Sequence, residues 1–245
     1  REFMSFESEA WSISWYKQML GMCDRNEIIT TVCTDKWMRG TVNSFYIGFV
    51  STFLATALGT VAALGLSRPH MPFKGLIMAI LISPMIVPLI ITAAGMFFFY
   101  SKLGLTHSYT GLILAHTALG TPFVVITVTA TLTGFDNNLI RASQSLGADT
   151  MRTFFKVIMP LILPGVISGA LFAFITSFDE VVVVLFVGSV EQVTIPRQMW
   201  AGLRQEISPV ILCMATCLVA LSIALLTTVE LLRRRSERLR GIKHR

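Results

Sequence analysis

Five long stretches of this chain are almost wholly apolar: residues 42–66, 75–100, 111–132, about 161–188 and 208–232. A helix that crosses the hydrocarbon core of a bilayer takes about 20 apolar residues at 1.5 Å rise each. Every stretch meets that length. None shows the strict alternation, in segments of about ten residues, of a transmembrane barrel strand. The pattern predicts an all-α, polytopic transmembrane protein with five visible spans. Residues 1–41 form a mixed, aromatic segment before the first span. Residues 133–160 form a long connection, and 233–245 a basic tail.

Composition sharpens this reading. The chain is 53% hydrophobic and 14% charged, with a mean hydropathy of +0.68. Soluble domains carry about a quarter charged residues. The net charge of +6 would suit nucleic acid, but its distribution argues against that role. Arg68 and Lys74 share one connection, and Arg141, Arg152 and Lys156 another. Arg233, Arg234, Arg235, Arg238, Arg240, Lys243 and Arg245 crowd the tail. In a five-span thread these places share one side, with 12 basic residues against four acidic ones (Asp136, Asp149, Glu230, Glu237). The other side has eight of each sign. Basic connections stay in the cytoplasm. The amino end is therefore expected outside and the carboxyl end inside a cytoplasmic membrane, with the tail beside anionic lipid. Residues 1–41 would then be external, yet they hold no signal peptide or span to carry them across. A sixth, amino-terminal span preceding residue 1 is expected.

Trp11, Trp15, Tyr16 and Trp37 suit interfacial anchors of a partly helical external segment. Ala55, Gly59 and Ala63 place small residues four apart, which allows close helix packing. Pro84 and Pro88 remove backbone donors from the second span and predict a kink or break. The break either borders a pathway or serves packing. That span ends in Phe97, Phe98, Phe99 and Tyr100, first an aromatic belt and second a cation-binding cage. The third span carries His116, Thr117, Thr121 and Pro122; His116 is read as a hydrogen-bonded packing residue.

Residues 133–160 predict a helix–turn–helix. Asp136 can cap a helix start, and Leu139, Ala142 and Leu146 recur at helical spacing. Gly147 breaks that helix, and Asp149 can cap the next. Met151, Phe154, Phe155 and Ile158 form its apolar side, before Pro160 and Pro164 lead back into the membrane. An exposed apolar surface of this kind marks a protein partner.

The fourth span opens with Gly165 and Gly169, a spacing suited to packing. Asp179 and Glu180 then interrupt it, between Phe178 and the run Val181–Val184. In a continuous helix Asp179 lies about 21 Å from Gly165. An ionised side chain at that depth costs at least ~2.5–3.5 kcal/mol. Two adjacent carboxylates must face a protein interior or an aqueous cavity. Thr176 shares their side of such a helix. No basic residue lies in any of the five spans, which favours a pathway for a cation over an internal ion pair. Ser177, Tyr100 and Trp200 complete the candidate pathway residues.

There is no G-x-x-x-x-G-K-[ST], H-E-x-x-H or G-x-S-x-G, so neither a phosphate loop nor a hydrolytic centre is expected. The carboxylates have no nucleophile or metal set beside them, and the chain is not read as an enzyme. Cys23 and Cys33 lie in the external segment, as unpaired thiols or a disulfide. Cys213 and Cys217 suit buried thiols in the last span. A secondary transporter or channel with Asp179 and Glu180 as its ion site stays open, as does a membrane scaffold without a transport role.

The 133–160 connection resembles the coupling motif of binding-protein-dependent ABC transporter permeases, roughly E-A-A-x-x-x-G, nine residues, then I-x-L-P. Here the register is Arg141-Ala142-Ser143, Gly147, Val157 and Met159-Pro160. Ala148 and Phe154 lie inside it. Arg141 replaces the glutamate, so an ion pair made by that glutamate is not carried over. Further segments resemble the spermidine/putrescine branch of this family: Leu58-Gly59-Thr60, Ala63 to Arg68, Pro84-Met85-Ile86-Val87-Pro88, Leu114-Ala115-His116-Thr117, Pro122-Phe123-Val124-Val125 and Ser177-Phe178-Asp179-Glu180. The resemblance implies a type I importer permease fold, with the 133–160 loop docked on an ATPase. It implies two ATP-binding subunits that hold ATP and Mg, with no cofactor in this chain. A periplasmic substrate-binding protein and a second permease subunit follow, the latter a paralogue in preference to an identical copy. The implied cargo is a polyamine such as putrescine or spermidine, with iron or an amino-acid derivative as the alternative on similar scaffolds.

Overall fold

The structure, a computed structural model, describes residues 14–20, 36–68, 70–136, 138–205 and 208–239. Regular structure among the described residues is helical throughout. In chain order the helices are α1 (Ser14–Met19), α2 (Lys36–Leu66), α3 (Lys74–Ile86), α4 (Leu89–Lys102), α5 (Tyr109–Thr133), α6 (Asn138–Ser145), α7 (Thr150–Thr153), α8 (Met159–Phe178), α9 (Val182–Val187), α10 (Ile195–Gln205) and α11 (Pro209–Leu239). A π-helical turn, Phe154–Ile158, joins α7 to α8, so that Thr150–Phe178 runs as one helix of 29 residues. The chain divides into two compact units, residues 42–197 and residues 1–41 with 198–245.

In the 42–197 unit α5 is the central helix, buried along most of its length. Its neighbours approach closely because they present small residues. A Cβ on Gly169 of α8 would lie 2.5 Å from Thr127 Oγ1 and 2.8 Å from Val124 Cα. A Cβ on Gly59 of α2 would lie 2.6 Å from Val124 Cβ, and Ala55, Ala63 and Ala173 pack fully buried beside them. Both small-residue spacings read from the sequence fall on these contacts, where side-chain bulk would force the helices apart. A second cluster joins Leu112, Ala115 and Leu119 of α5 to Ala93 and Tyr100 of α4 and to Val183, Val184 and Val187 of α9. Outward-facing Phe53, Val61, Ile80 and Ile86 are exposed. Such a surface suits lipid or another subunit better than water.

Among the described residues three helices are long and apolar enough to cross a membrane: α2, α5 and Thr150–Phe178. The 75–100 stretch is not one straight span. It forms α3 and α4, bent by 104° at Val87–Pro88, and makes a fourth crossing only when the pair is taken together. Pro88 drives its predecessor out of the helical region, and Val87 has φ −71° and ψ 136°. Pro84, by contrast, stays inside α3. It cannot donate to the Ile80 carbonyl, and Ser83 Oγ takes that acceptor instead at 2.8 Å.

The 161–188 stretch also departs from the expected single helix. α8 ends at Phe178, and Asp179 to Val181 separate it from the short α9. The helix restarts in the valine run, where Glu180 Oε1 accepts the Val183 N–H. Thr176, Asp179 and Glu180 therefore do not share a continuous helical face.

In the other unit α1 packs on α11, where Tyr16 Oη and Thr216 Oγ1 are 3.0 Å apart. α11 starts from an apolar stretch, Pro209–Ala224. Cys213 is buried, Cys217 exposed, and both are free thiols. Trp11, Cys23 and Cys33 lie outside the described residues, as do Arg240, Lys243 and Arg245.

Candidate functional site

Two chain breaks meet at one pocket. Leu89 comes from the start of α4, just past the 104° bend, and Asp179, Glu180 and Val181 come from the gap between α8 and α9. With Ile175, Thr176 and Val182 they line an open cavity of about 330 Å³. The lining contains two carboxylates and no basic side chain. The adjacent acids occupy different surroundings. Glu180 is buried, and its Oε1 accepts the Val183 backbone N–H at 2.8 Å, so it caps α9. Asp179 is exposed at the C-terminal end of α8, with its own N–H bonded to the Ile175 carbonyl. Of the two, Asp179 presents the more accessible negative charge.

Ser177 turns away from this pocket into the core. Its Oγ lies 2.8 Å from His116 Nδ1 and 3.0 Å from Ser51 Oγ, and all three residues are buried. Tyr100 is buried at the end of α4, among the α5 and α9 contacts, and does not line the cavity. Trp200 lies on α10 in the other unit, about half exposed. The structure thus brings Thr176, Asp179 and Glu180 together and places Ser177 and Tyr100 in packing positions. Among the described residues no group of three or more His, Cys, Asp or Glu side chains is set to hold a metal ion.

The 133–160 connection is built from local signals. Asp136 Oδ1 accepts from Asn138 N at 2.9 Å, ahead of α6. Gly147 takes φ +81°, with Gly147 N bonded to the Gln144 carbonyl and Ala148 N to the Ser143 carbonyl. This paired closure ends α6 as a Schellman motif, whose left-handed position favours glycine. Asp149 Oδ1 then caps α7 by accepting from Arg152 N at 2.9 Å. Ser143 Oγ and Thr153 Oγ1, 2.8 Å apart, tie the two arms. Arg141, Ala142 and Phe155 face outward, Ala148 and Phe154 are half-buried, and Leu146 and Met151 stand 88% and 67% exposed. The second arm is not the separate short helix expected, because α7 continues through the π turn into α8. Pro160 lacks the N–H that would bond Lys156, and Met159 N reaches back five residues to the Phe154 carbonyl.

A turn of this form beside a membrane helix suits a docked partner. The model of the family described as binding-protein-dependent transport system inner membrane component matches residues 55–238. The chain belongs to that family. It is 28% identical over 233 residues to the spermidine/putrescine transport system permease protein PotC of Haemophilus influenzae, covering 95% of this chain and 85% of that one. The putrescine transport system permease protein PotI of Escherichia coli is 27% identical over 217 residues, covering 85% and 73%. Among solved structures, the MetNI methionine ABC transporter in inward-facing conformations superposes with a TM-score of 0.60 at 24% identity, over 84% of this chain and 96% of that chain. An amino acid ABC transporter with histidines gives 0.62 at 16% identity, over 82% and 94%. These two show the fold, that of a type I ABC importer permease. The protein is a membrane component of an ATP-driven importer, and its part is transport rather than catalysis.

This permease also carries a polar cluster that the sequence reading missed. Asn43 Nδ2 donates to the Glu191 and Val193 carbonyls at 2.8 and 2.9 Å, and its Oδ1 accepts from Tyr109 Oη at 2.9 Å. Ile195 N donates to Ser44 Oγ, and Arg197 Nη1 donates to the Ser189 carbonyl at 2.6 Å. Together they fix the 188–195 segment between α9 and α10. Asn43 belongs to no motif, and its partners lie 66 to 150 positions away, so no local signal could find it.

Proposed function

We propose that this permease imports a cationic, amine-bearing substrate of the polyamine class, such as putrescine or spermidine. The observation that carries the reading is the pocket at the two chain breaks, which holds Asp179 and Glu180 without a basic partner. A bound polycation supplies that partner, in surroundings where charges attract more strongly than in water. The relatives named for spermidine and putrescine transport support the same substrate class. In this reading Thr176 and Asp179 meet the substrate, and Glu180 shapes the pocket by holding α9.

The complete transporter pairs this chain with a second permease, a paralogue in preference to an identical copy. Two ATPase subunits bind ATP and Mg and dock on the 133–160 loop, and an external binding protein delivers the substrate. The amino end lies outside the cytoplasmic membrane and the basic tail inside.

Uptake of labelled putrescine and spermidine by vesicles holding the whole complex tests the reading. Asp179→Asn, nearly equal in size, should lower uptake by about tenfold, the effect of ~1.4 kcal/mol of lost charge pairing. Complex yield and binding-protein capture should persist. Wild-type uptake in that variant, or an anionic cargo, refutes the proposal.

A further inference from the structure

α2, α5 and α8 meet at three buried polar side chains, Ser51, His116 and Ser177. Their hydrogen bonds have a direction. Ser51 Oγ lies 2.6 Å from the Ile47 carbonyl, which can only accept, so the Ser51 proton points there. At 3.0 Å from Ser51, Ser177 must then be the donor. Its proton committed, Ser177 Oγ accepts from His116 Nδ1 at 2.8 Å. The donors thus run one way, from His116 Nδ1–H through Ser177 and Ser51 to the Ile47 carbonyl. Nδ1 therefore carries a proton, and Nε2 is buried without a hydrogen-bond partner among the described residues.

The hydrogen-bond relay meets α8 at Ser177, two residues before Asp179 and one after Thr176, in the last turn of that helix. Asp179 N still bonds the Ile175 carbonyl, and after it the backbone leaves the helix, so Ser177 stands in the last stretch of α8 that holds the pocket wall. On α5, Ala115 beside His116 packs in the cluster that holds α9 through Val183, Val184 and Val187. α5 therefore touches both sides of the break.

We propose that His116 is a positioning residue: through Ser177 and Ser51 it fixes the end of α8 and so sets the geometry of the Thr176–Asp179–Glu180 pocket wall. The proposal takes its importance from the substrate reading above, but its test does not depend on that reading. It requires a donor at the Nδ1 position and nothing at Nε2. An asparagine amide reaches the place of Nδ1, a glutamine amide that of Nε2, and phenylalanine keeps the ring without a donor.

The test uses the assembled complex with native cysteines replaced and Thr176→Cys introduced. The readout is the rate at which an uncharged thiol reagent labels position 176. His116→Gln and His116→Phe should raise the rate by about tenfold, equivalent to ~1.4 kcal/mol of easier opening. His116→Asn should stay near the His116 rate. Ser177→Ala, which removes a single oxygen, should behave like His116→Phe and carries the test where the larger changes do not assemble. Equal labelling in all variants overturns the proposal, as does equal loosening by asparagine and glutamine. ¹⁵N spectra of the histidine ring in the complex should show Nδ1 protonated and Nε2 bare; the opposite tautomer also overturns it. Normal uptake by Asp179→Asn with the labelling pattern intact would remove the substrate reading and leave the positioning role standing.

Discussion

Neighbouring residues of one charge have parted company here. Asp179 is exposed, while Glu180 is buried and spends an oxygen on the Val183 N–H. A carboxylate at a helix start also meets the positive end of the helix dipole. The two side chains should therefore answer differently to truncation. Glu180→Ala removes the cap, worth about 0.5–2 kcal/mol, and should lower the melting temperature of the purified complex. Glu180→Gln keeps an acceptor oxygen and should retain much of that stability. Asp179→Ala should melt near the wild type. Thermal unfolding of the three variants side by side checks the assignment, and an Asp179→Ala loss equal to that of Glu180→Ala would contradict it.

Elements in this chain end where a particular side chain lets them. α6 stops at Gly147 because φ +81° admits glycine without strain. A Cβ there would meet no atom within 4 Å, so substitution costs backbone strain alone. Gly147→Val should cost about 1–2 kcal/mol, whereas asparagine tolerates the left-handed region better. Gly147→Asn should thus keep more uptake than Gly147→Val at equal membrane levels, measured by immunoblot. Gly147→Trp, whose bulk projects outward, should abolish uptake by blocking the proposed ATPase contact while the binding protein still captures substrate. At the α5–α8 seam the limit is space instead. Gly169→Leu would drive side-chain atoms into the Val124 backbone, and overpacking of that kind costs about 1–3 kcal/mol. Reduced yield and earlier thermal unfolding of this variant would register it.

Across the whole molecule, the 29 residues from Thr150 to Phe178 form one helix about 43 Å long. One end carries the Gly147–Asp149 turn and the other the Asp179–Glu180 break. The surface proposed to meet the ATPase and the pocket proposed to meet the substrate are thus two ends of a single element. The π turn at Phe154–Ile158 lies near the first end. The proposed orientation rests on charge, since basic segments remain cytoplasmic. In a background free of native cysteines, a membrane-impermeant thiol reagent added outside cells should label Lys102→Cys and spare Arg238→Cys. The reverse pattern would invert the topology.

The sequence by itself determined the features that depend on near neighbours. Run length set the helical membrane class, Pro88 the bend, and Asp136, Gly147 and Asp149 the turn, since caps and breaks are decided within a few residues. The coupling motif made the family legible for the same reason, because its spacing is local. Tertiary structure decided the rest. The sequence placed Ser177 with the carboxylates, but its hydroxyl bonds to Ser51 and His116, 126 and 61 positions away. It treated Asp179 and Glu180 as one pair on one helix, and the end of α8 gave them separate roles. Asn43 gave no signal at all until the fold set the Glu191 and Val193 carbonyls against it. Most buried polar atoms find a partner wherever the packing supplies one, and sequence spacing carries no record of that choice.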